Sequence, residues 1–512
     1  MGSAISINNK RIAKNTLYMF FRMGIIMLVQ LYTSRVVLNA LGIEDYGIFN
    51  VVCSFIIAFT FFSGPLDAAT QRFLSFELGK GDQNRLKAVF NISFYIYFAF
   101  AVVLVAIVEI VGLWYLHNRM ELPAGRINAA EWAFHFSLLS LVFGLLKTPF
   151  DALVVAHEKM SFYAYASIAD VMLKLGNAFS LQFIACDKLK IYAVNQLVIS
   201  LVVFTIVAIY CRRKFVTVNI TWIKQVWDIT VLKKLLGFSG WSLFGSVVTI
   251  SANQGLNILL NSFFGVFVNA AMGVATQVSV AVNQFSNNFQ MAYRPQLVKY
   301  YATENLDALR KLVLNTSKYS YLLLFAVVCP IVFNIDYLLK IWLKNVPEEA
   351  PIFCVYLLVW QLIECLMAPM WTAVNATGRI KKYHLVTDPI IFSVIVLSYI
   401  SLKLGFPAYS VVLIKCIVDI VLLVVRLIFV KRMVGFEIKK YLRDTLFPIS
   451  MISMVCISFL FFLNSHLKGD FQRLVVDTLS FALVYAVVVY LGGLKREERE
   501  KIVHFVKSKL LG

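Results

Sequence analysis

Apolar runs of about 20 residues follow one another along this 512-residue chain, each long enough to cross about 30 Å of hydrocarbon as a helix. Fourteen spans are expected, at 15–37, 47–66, 88–113, 131–155, 163–185, 191–211, 237–261, 271–293, 312–334, 350–376, 385–402, 408–430, 445–464 and 474–493. The longest connection, the roughly 25 residues from Arg212 to Leu236, leaves no room for a separate soluble catalytic domain. Composition agrees, since 60% hydrophobic and 15% charged residues with a mean hydropathy of +0.77 lie far outside the soluble range. The expectation is an all-α integral membrane protein.

The spans also repeat. PFDALVVAHEK at 149–159 aligns without a gap to PMWTAVNATGR at 369–379, and Tyr163 falls on Tyr383. At nearly the same offset Asn39 falls on Asn261, Arg72 on Arg294, and Leu122-Pro123 on Val346-Pro347. The duplication covers twelve spans, which divides the chain into a six-helix lobe at 1–214, a linker at 215–236, a second lobe at 237–432, and two unpartnered spans with a tail at 433–512. Duplicated membrane folds are typically transporters with a substrate site between the repeats.

The net charge of +20 is a topology signal. With the N-terminus placed in the cytoplasm, 32 of the 48 Lys and Arg fall on inside segments, 9 outside and 7 within spans, so both termini are expected to be cytoplasmic and no nucleic-acid partner is implied. The first apolar run is too long for a signal-peptide core and lacks a small-residue cleavage site, so it is expected to stay as a span. A myristoylation pattern at Gly2 and Ser6 adds nothing to a chain with fourteen anchors. Eight cysteines show no metal or CxxC spacing and read as apolar filler.

LNALGIEDYG at 38–47, PLDAATQR at 65–72, AHEKM at 156–160, IWL at 341–343 with Pro347, and ATGRI at 376–380 together resemble the polysaccharide-export flippases of the multidrug/oligosaccharidyl-lipid/polysaccharide (MOP, MATE-like) superfamily. The resemblance covers most of the chain, especially residues 10–385. It implies two six-helix lobes in a V, related by a pseudo-two-fold along the membrane normal, with two extra C-terminal helices. The implied cargo is an undecaprenyl-pyrophosphate-linked oligosaccharide, flipped across the bacterial inner membrane by alternating access for O-antigen, capsule or other lipopolysaccharide and polysaccharide biosynthesis. Membrane lipids and polysaccharide polymerase or export machinery are the implied partners. No cofactor is expected, with coupling to a Na⁺ or H⁺ gradient or to the membrane potential.

Such a cargo needs cations for the pyrophosphate and amides for the sugars. In the seventh span Ser246, Asn253, Asn257 and Asn261 share one helical face with Gln254 beside it, and in the eighth Gln277, Gln284 and Asn288 form a second stripe. These amides either line a water-filled cleft or bond across helices. Arg22, with Gln30 on the same face, has no carboxylate within four residues; anion contact and snorkelling to headgroups both fit it. Arg72 and Arg294 fit either cytoplasmic anchoring or a cationic inner mouth. Lys147 and Asp151, Asp170 and Lys174, and Lys415 and Asp419 are i,i+4 pairs able to neutralise one another, while Arg426 leaves the twelfth span net positive and joins Lys415 as a candidate cation.

Glu364 and Glu109 lack a cation within four residues on their own helices, and Glu364 is the candidate coupling carboxylate. The six histidines are scattered, with His157 and His384 expected at helix ends near the interface, and no paired-carboxylate, nucleophile-elbow, metal or phosphate-loop motif is present. Residues 216–236 and 495–511 suit in-plane amphipathic helices, as does Tyr337 to Leu343. A glycan-lipid flippase therefore competes with a MATE-type cation-coupled drug or metabolite antiporter, which favours acidic aromatic cavities, and with a glycan polymerase, which needs long external loops this chain lacks.

Overall fold

The computed structural model describes residues 2–58, 60, 63–118, 125–183, 186–215, 228–343, 346–464, 470–493 and 499–500. Among them there is no strand. The helices are α1 (Gly2–Ala58), α2 (Ser63–Lys80), α3 (Gln83–Asn118), α4 (Ile127–Ala156), α5 (Met160–Ser180), α6 (Lys188–Lys214) and α7 (Ile229–Ala302). They continue with α8 (Leu306–Phe333), α9 (Ile335–Trp342), α10 (Ala350–Thr377), α11 (Lys381–Lys403), α12 (Ser410–Val434), α13 (Phe447–Asn464) and α14 (Asp470–Val488). Ten described helical segments are long and apolar enough to cross a membrane. Among the rest, α5 carries Asp170 and Lys174, and α12 carries Lys415, Asp419 and Arg426.

The backbone punctuates both halves alike. Gly42 (φ 80°, ψ 171°) breaks α1 and Gly265 (φ 78°, ψ −168°) breaks α7. Both lie in a region open essentially to glycine alone, so each turns one long apolar stretch into two helices. Gly81 (φ 75°) ends α2 where Glu304 (φ 55°) follows α7, and Glu158 (φ 58°) follows α4 where Gly378 (φ 73°) caps α10. These three pairs stand 223, 223 and 220 residues apart, the offset of the sequence repeat. Pro149 in α4 and Pro369 in α10 are a further equivalent pair.

Two compact units result, one of Met1–Phe244 with Met291–Asn305, the other of Gly245–Gln290 with Leu306–Gly512. In the first, Ile48, Val52, Tyr97, Leu104, Phe134 and Leu138 form the core. In the second, Leu256, Leu260, Phe353, Leu357 and Val411 form one cluster, and Phe325, Leu358, Ile452, Leu460 and Phe481 another that seats α13 and α14 on α8. Outward-facing Leu28, Ile110, Phe461 and Leu483 stay exposed, as helices apolar on every side require when their solvent is lipid.

Polar contacts pin the helix ends. Arg126 reaches Asp45 at 2.8 and 2.5 Å and Asp187 at 3.0 and 3.2 Å, joining the region just after the Gly42 break of α1 to the N-terminal ends of α4 and α6. Asp187 also caps α6 by accepting from the Leu189 amide at 3.2 Å. Lys299 donates to Glu158 at 2.7 Å, with the glutamate side chain only 1% exposed. Ile341 and Trp342 are exposed on short α9, where an amphipathic element was expected. Leu122-Pro123, 216–227 and the tail element at 495–511 lie outside the described residues except for 499–500, while 229–236 opens α7.

Two outcomes follow from these contacts. Glu158→Ala removes this ion pair and should lower stability, whereas Glu158→Gly regains roughly 1–2 kcal/mol from the left-handed backbone; thermal unfolding in detergent should rank wild type above Gly above Ala. Arg126→Ala should lower the melting temperature by a few degrees at neutral pH. Partial burial opposes ionisation of Asp187, but Arg126's hydrogen bonds and charge outweigh it and hold the carboxyl below its ordinary value. That contribution is complete above about pH 4, the unfolded carboxylate range, and fades as pH falls through the folded value, so the two melting curves should converge in acid.

Candidate functional site

Four charged side chains meet in the second unit. On α10, Trp360 and Glu364 stand one turn apart; on α12, Lys415 and Asp419 stand one turn apart with Arg426 two turns further. With Thr249, Asn253 and Leu256 of α7 and Ile391 and Val394 of α11 they line a cavity of about 120 Å³. That holds several waters, well short of the roughly 300–1,000 Å³ of an organic ligand site. Any larger cargo therefore requires this region to open.

Trp360 stands between Lys415 and Asp419, whose pairing the sequence spacing allowed but left open. The indole N–H donates to Asp419 Oδ2 at 2.5 Å, while the Lys415 ammonium sits 3.6 Å from the centre of the indole ring and donates to Asn253 Oδ1 at 2.8 Å. One aromatic side chain thus separates the charges by serving both, its edge to the anion and its face to the cation. Glu364 lies within charge-interaction range of Asp419, Lys415 and Arg426. Arg426 in turn stands beside the Tyr383 hydroxyl of α11. The cluster holds two cations and two carboxylates, so the excess positive charge expected of α12 is balanced by α10.

The amide stripes separate into two groups. Asn253, Asn261, Gln277 and Gln284 are exposed, and of these Asn253 bonds another helix through Lys415. Asn257 donates to Gln254 at 3.3 Å along its own helix, and Asn288, only 7% exposed, donates to the Gln284 carbonyl at 2.7 Å. Gln30 is exposed on α1.

In the first unit, Arg22 lies 5.0 Å from the Tyr163 ring centre and in charge range of Asp151. Lys147 and Asp151 pair at 3.1 Å and Lys174 and Asp170 at 2.9 Å, the i,i+4 partners their spacing specifies. Arg72 is buried, with the rings of Phe73, Phe76 and Phe238 at 4.5, 5.4 and 5.3 Å, which gives its guanidinium an aromatic environment. Arg294 is half-buried on α7. Glu109 has a partner that helix spacing does not reveal, His135 Nδ1 at 2.7 Å.

Sequence reasoning missed three groups. Trp360 passes for an apolar filler, and only its i+4 relation to Glu364 hinted at a shared face. Asp67, one residue beyond the expected second span, is exposed, stands beside the Tyr97 hydroxyl and lies in charge range of Asp151. His384 lies in the first turn of α11, at a helix end as expected, but it is buried there, 5% exposed, with Nδ1 3.1 Å from Asp388 Oδ2. A Cβ at Gly245 of α7 would lie 2.5 Å from its Cε1; the missing side chain makes room for the imidazole.

Neither family models nor curated protein sequences match the chain. Solved structures do match in fold. A MATE protein in complex with MaD3S aligns with a TM-score of 0.69 at 15% identity, an outward-facing multidrug resistance MATE family transporter of the MOP superfamily with 0.68 at 15%, and a MOP superfamily transporter from Pyrococcus furiosus, described as having reversed binding-pocket polarity, with 0.64 at 15%. Each alignment covers 84% of this chain and 96% of the other. The fold is that of the MATE transporters; at this identity nothing further transfers.

The exposure pattern makes a labelling prediction. In a background without native cysteines, Cys at 253, 261, 277 and 284 should react with a hydrophilic maleimide, while Cys in place of Asn288 or of fully buried Leu260 should stay unlabelled. Mass shifts after labelling check this, and equal protection at all six positions would show that the exposed amides do not face water.

Proposed function

We propose that this chain is a membrane transporter whose cargo is an oligosaccharide carried on a lipid pyrophosphate, moved across the bacterial inner membrane by alternating access. The observation that carries the reading is the exposed amide stripe of α7. Asn253 and Asn261 stand open on apolar helices, where a hydrogen-bonding group facing lipid is costly, and sugar hydroxyls or water satisfy such groups. Lys415 adjoins the stripe through Asn253 at 2.8 Å, so a cation and a row of amides share one approach. Arg22, Arg426 and, on opening of the inner end, Arg294 and Arg72 are assigned to the anionic head.

Specificity then resides in the site, since one fold hosts many cargoes. A MOP superfamily transporter from Pyrococcus furiosus of similar fold is described as having reversed binding-pocket polarity, and we take pocket charge as the property that separates the two cargo classes. A second reading, a cation-coupled drug or metabolite antiporter, is favoured by Glu364, Asp419 and Trp360 around the same cavity, an acidic aromatic set suited to a cation. In the first reading Glu364 serves instead as the coupling carboxylate, taking up H⁺ or Na⁺ when its cationic neighbours move away.

Deletion of the gene decides between them. Accumulation of lipid-linked glycan, read by mass analysis of extracted lipids, supports the flippase; loss of fluorescent-cation efflux without such accumulation supports the antiporter. Complementation should then fall about ten- to a hundredfold with Lys415→Ala or Arg426→Ala at matched membrane abundance, the loss expected for one charge-assisted hydrogen bond of about 1.5–3 kcal/mol, and Arg426→Lys should retain part of it.

A further inference from the structure

A second cavity, remote from this cluster, lies where α8, α13 and α14 end together. It measures about 460 Å³ and is lined by Val332, Phe333, Phe461, Asn464 and Arg473, a size within the range of ligand pockets. Its walls are apolar except at one end. There the Asn464 amide and the Arg473 guanidinium form the polar lining, and neither the amide of Asn464 nor the Nε of Arg473 makes a hydrogen bond, so both have capacity for a ligand.

The Arg473 fork is held in place from behind. Its Nη2 donates to the Phe333 carbonyl at 3.3 Å, and its Nε lies 3.8 Å from Oδ2 of fully buried Asp477, which also accepts from Asn334 at 3.1 Å. Asn464 closes the apolar span Ile438–Asn464 and Arg473 opens Phe471–Gly493. Both therefore stand at the depth where hydrocarbon gives way to headgroups, with Phe461 and Phe471 exposed beside them.

We propose that this groove binds the phosphate of a glycerophospholipid. Arg473 and the Asn464 amide take the phosphate oxygens, and Val332, Phe333 and Phe461 receive the first carbons of the acyl chains. A phosphodiester suits the site better than free phosphate for two reasons. It carries one negative charge rather than nearly two beside the Asp477 carboxylate, and it brings the apolar chains that the walls require.

Native mass spectrometry of the full chain in mild detergent tests this, with phosphatidylglycerol, diacylglycerol and inorganic phosphate as probes. Phosphatidylglycerol should remain bound, diacylglycerol and inorganic phosphate should not, and retention should fall at least about tenfold in Arg473→Gln, with Arg473→Lys between. Phe461→Trp fills the groove while leaving every charge in place and should displace the lipid equally, which decides the matter if Arg473→Gln does not give monodisperse protein. Equal retention of diacylglycerol would show that phosphate is not recognised, comparable binding of inorganic phosphate would show a simple anion site, and full retention in Phe461→Trp would place the lipid elsewhere; each overturns the proposal.

Discussion

A peptide group in hydrocarbon has no water to bond, so each segment that enters it must satisfy its own N–H and C=O groups. The rest of this structure depends on that constraint. It makes every apolar stretch a helix, and it confines departures from helical geometry to a few residues whose side chains or positions tolerate them. Gly42 and Gly265 are such residues, each with an extended, positive-φ backbone in the middle of a long helical run. The same constraint raises the stakes for side chains, since a charge or amide on these helices must find a partner, a cavity or the headgroup layer.

How the charges are accommodated differs between the units. In the first, Lys147 with Asp151 and Lys174 with Asp170 neutralise one another along a single helix. In the second, α12 alone does not balance, and neutrality is assembled from two helices, with Trp360 of α10 interposed between Lys415 and Asp419. A pair fixed along one helix moves as a body. A group distributed over α7, α10 and α12 is sensitive to small displacements between them.

The sequence was most legible where local rules suffice. Apolar length located the helices, and the alignment of Pro149 with Pro369 and of Tyr163 with Tyr383 exposed a duplication that the left-handed positions repeat in backbone form. Spacing also identified the two salt-bridged pairs of the first unit. It failed for Lys415 and Asp419, because an i,i+4 rule describes one helix in isolation and takes no account of an indole from a neighbour. Asp67 escaped notice because it falls just outside an apolar window, and the burial of His384 was not legible because it depends on Gly245, 139 residues away. Side chains whose role is set by a distant helix leave little trace in their own neighbourhood.

The turn after α4 gives the two halves different physical characters. Gly378 holds its left-handed conformation without help, whereas Glu158 holds the same conformation with its carboxylate locked onto Lys299 in a nearly dry setting. One turn is intrinsic to its residue; the other is conditional on an ion pair. At that turn the second half keeps its geometry by residue type alone, while the first half keeps it with a contact to a residue 141 positions along the chain.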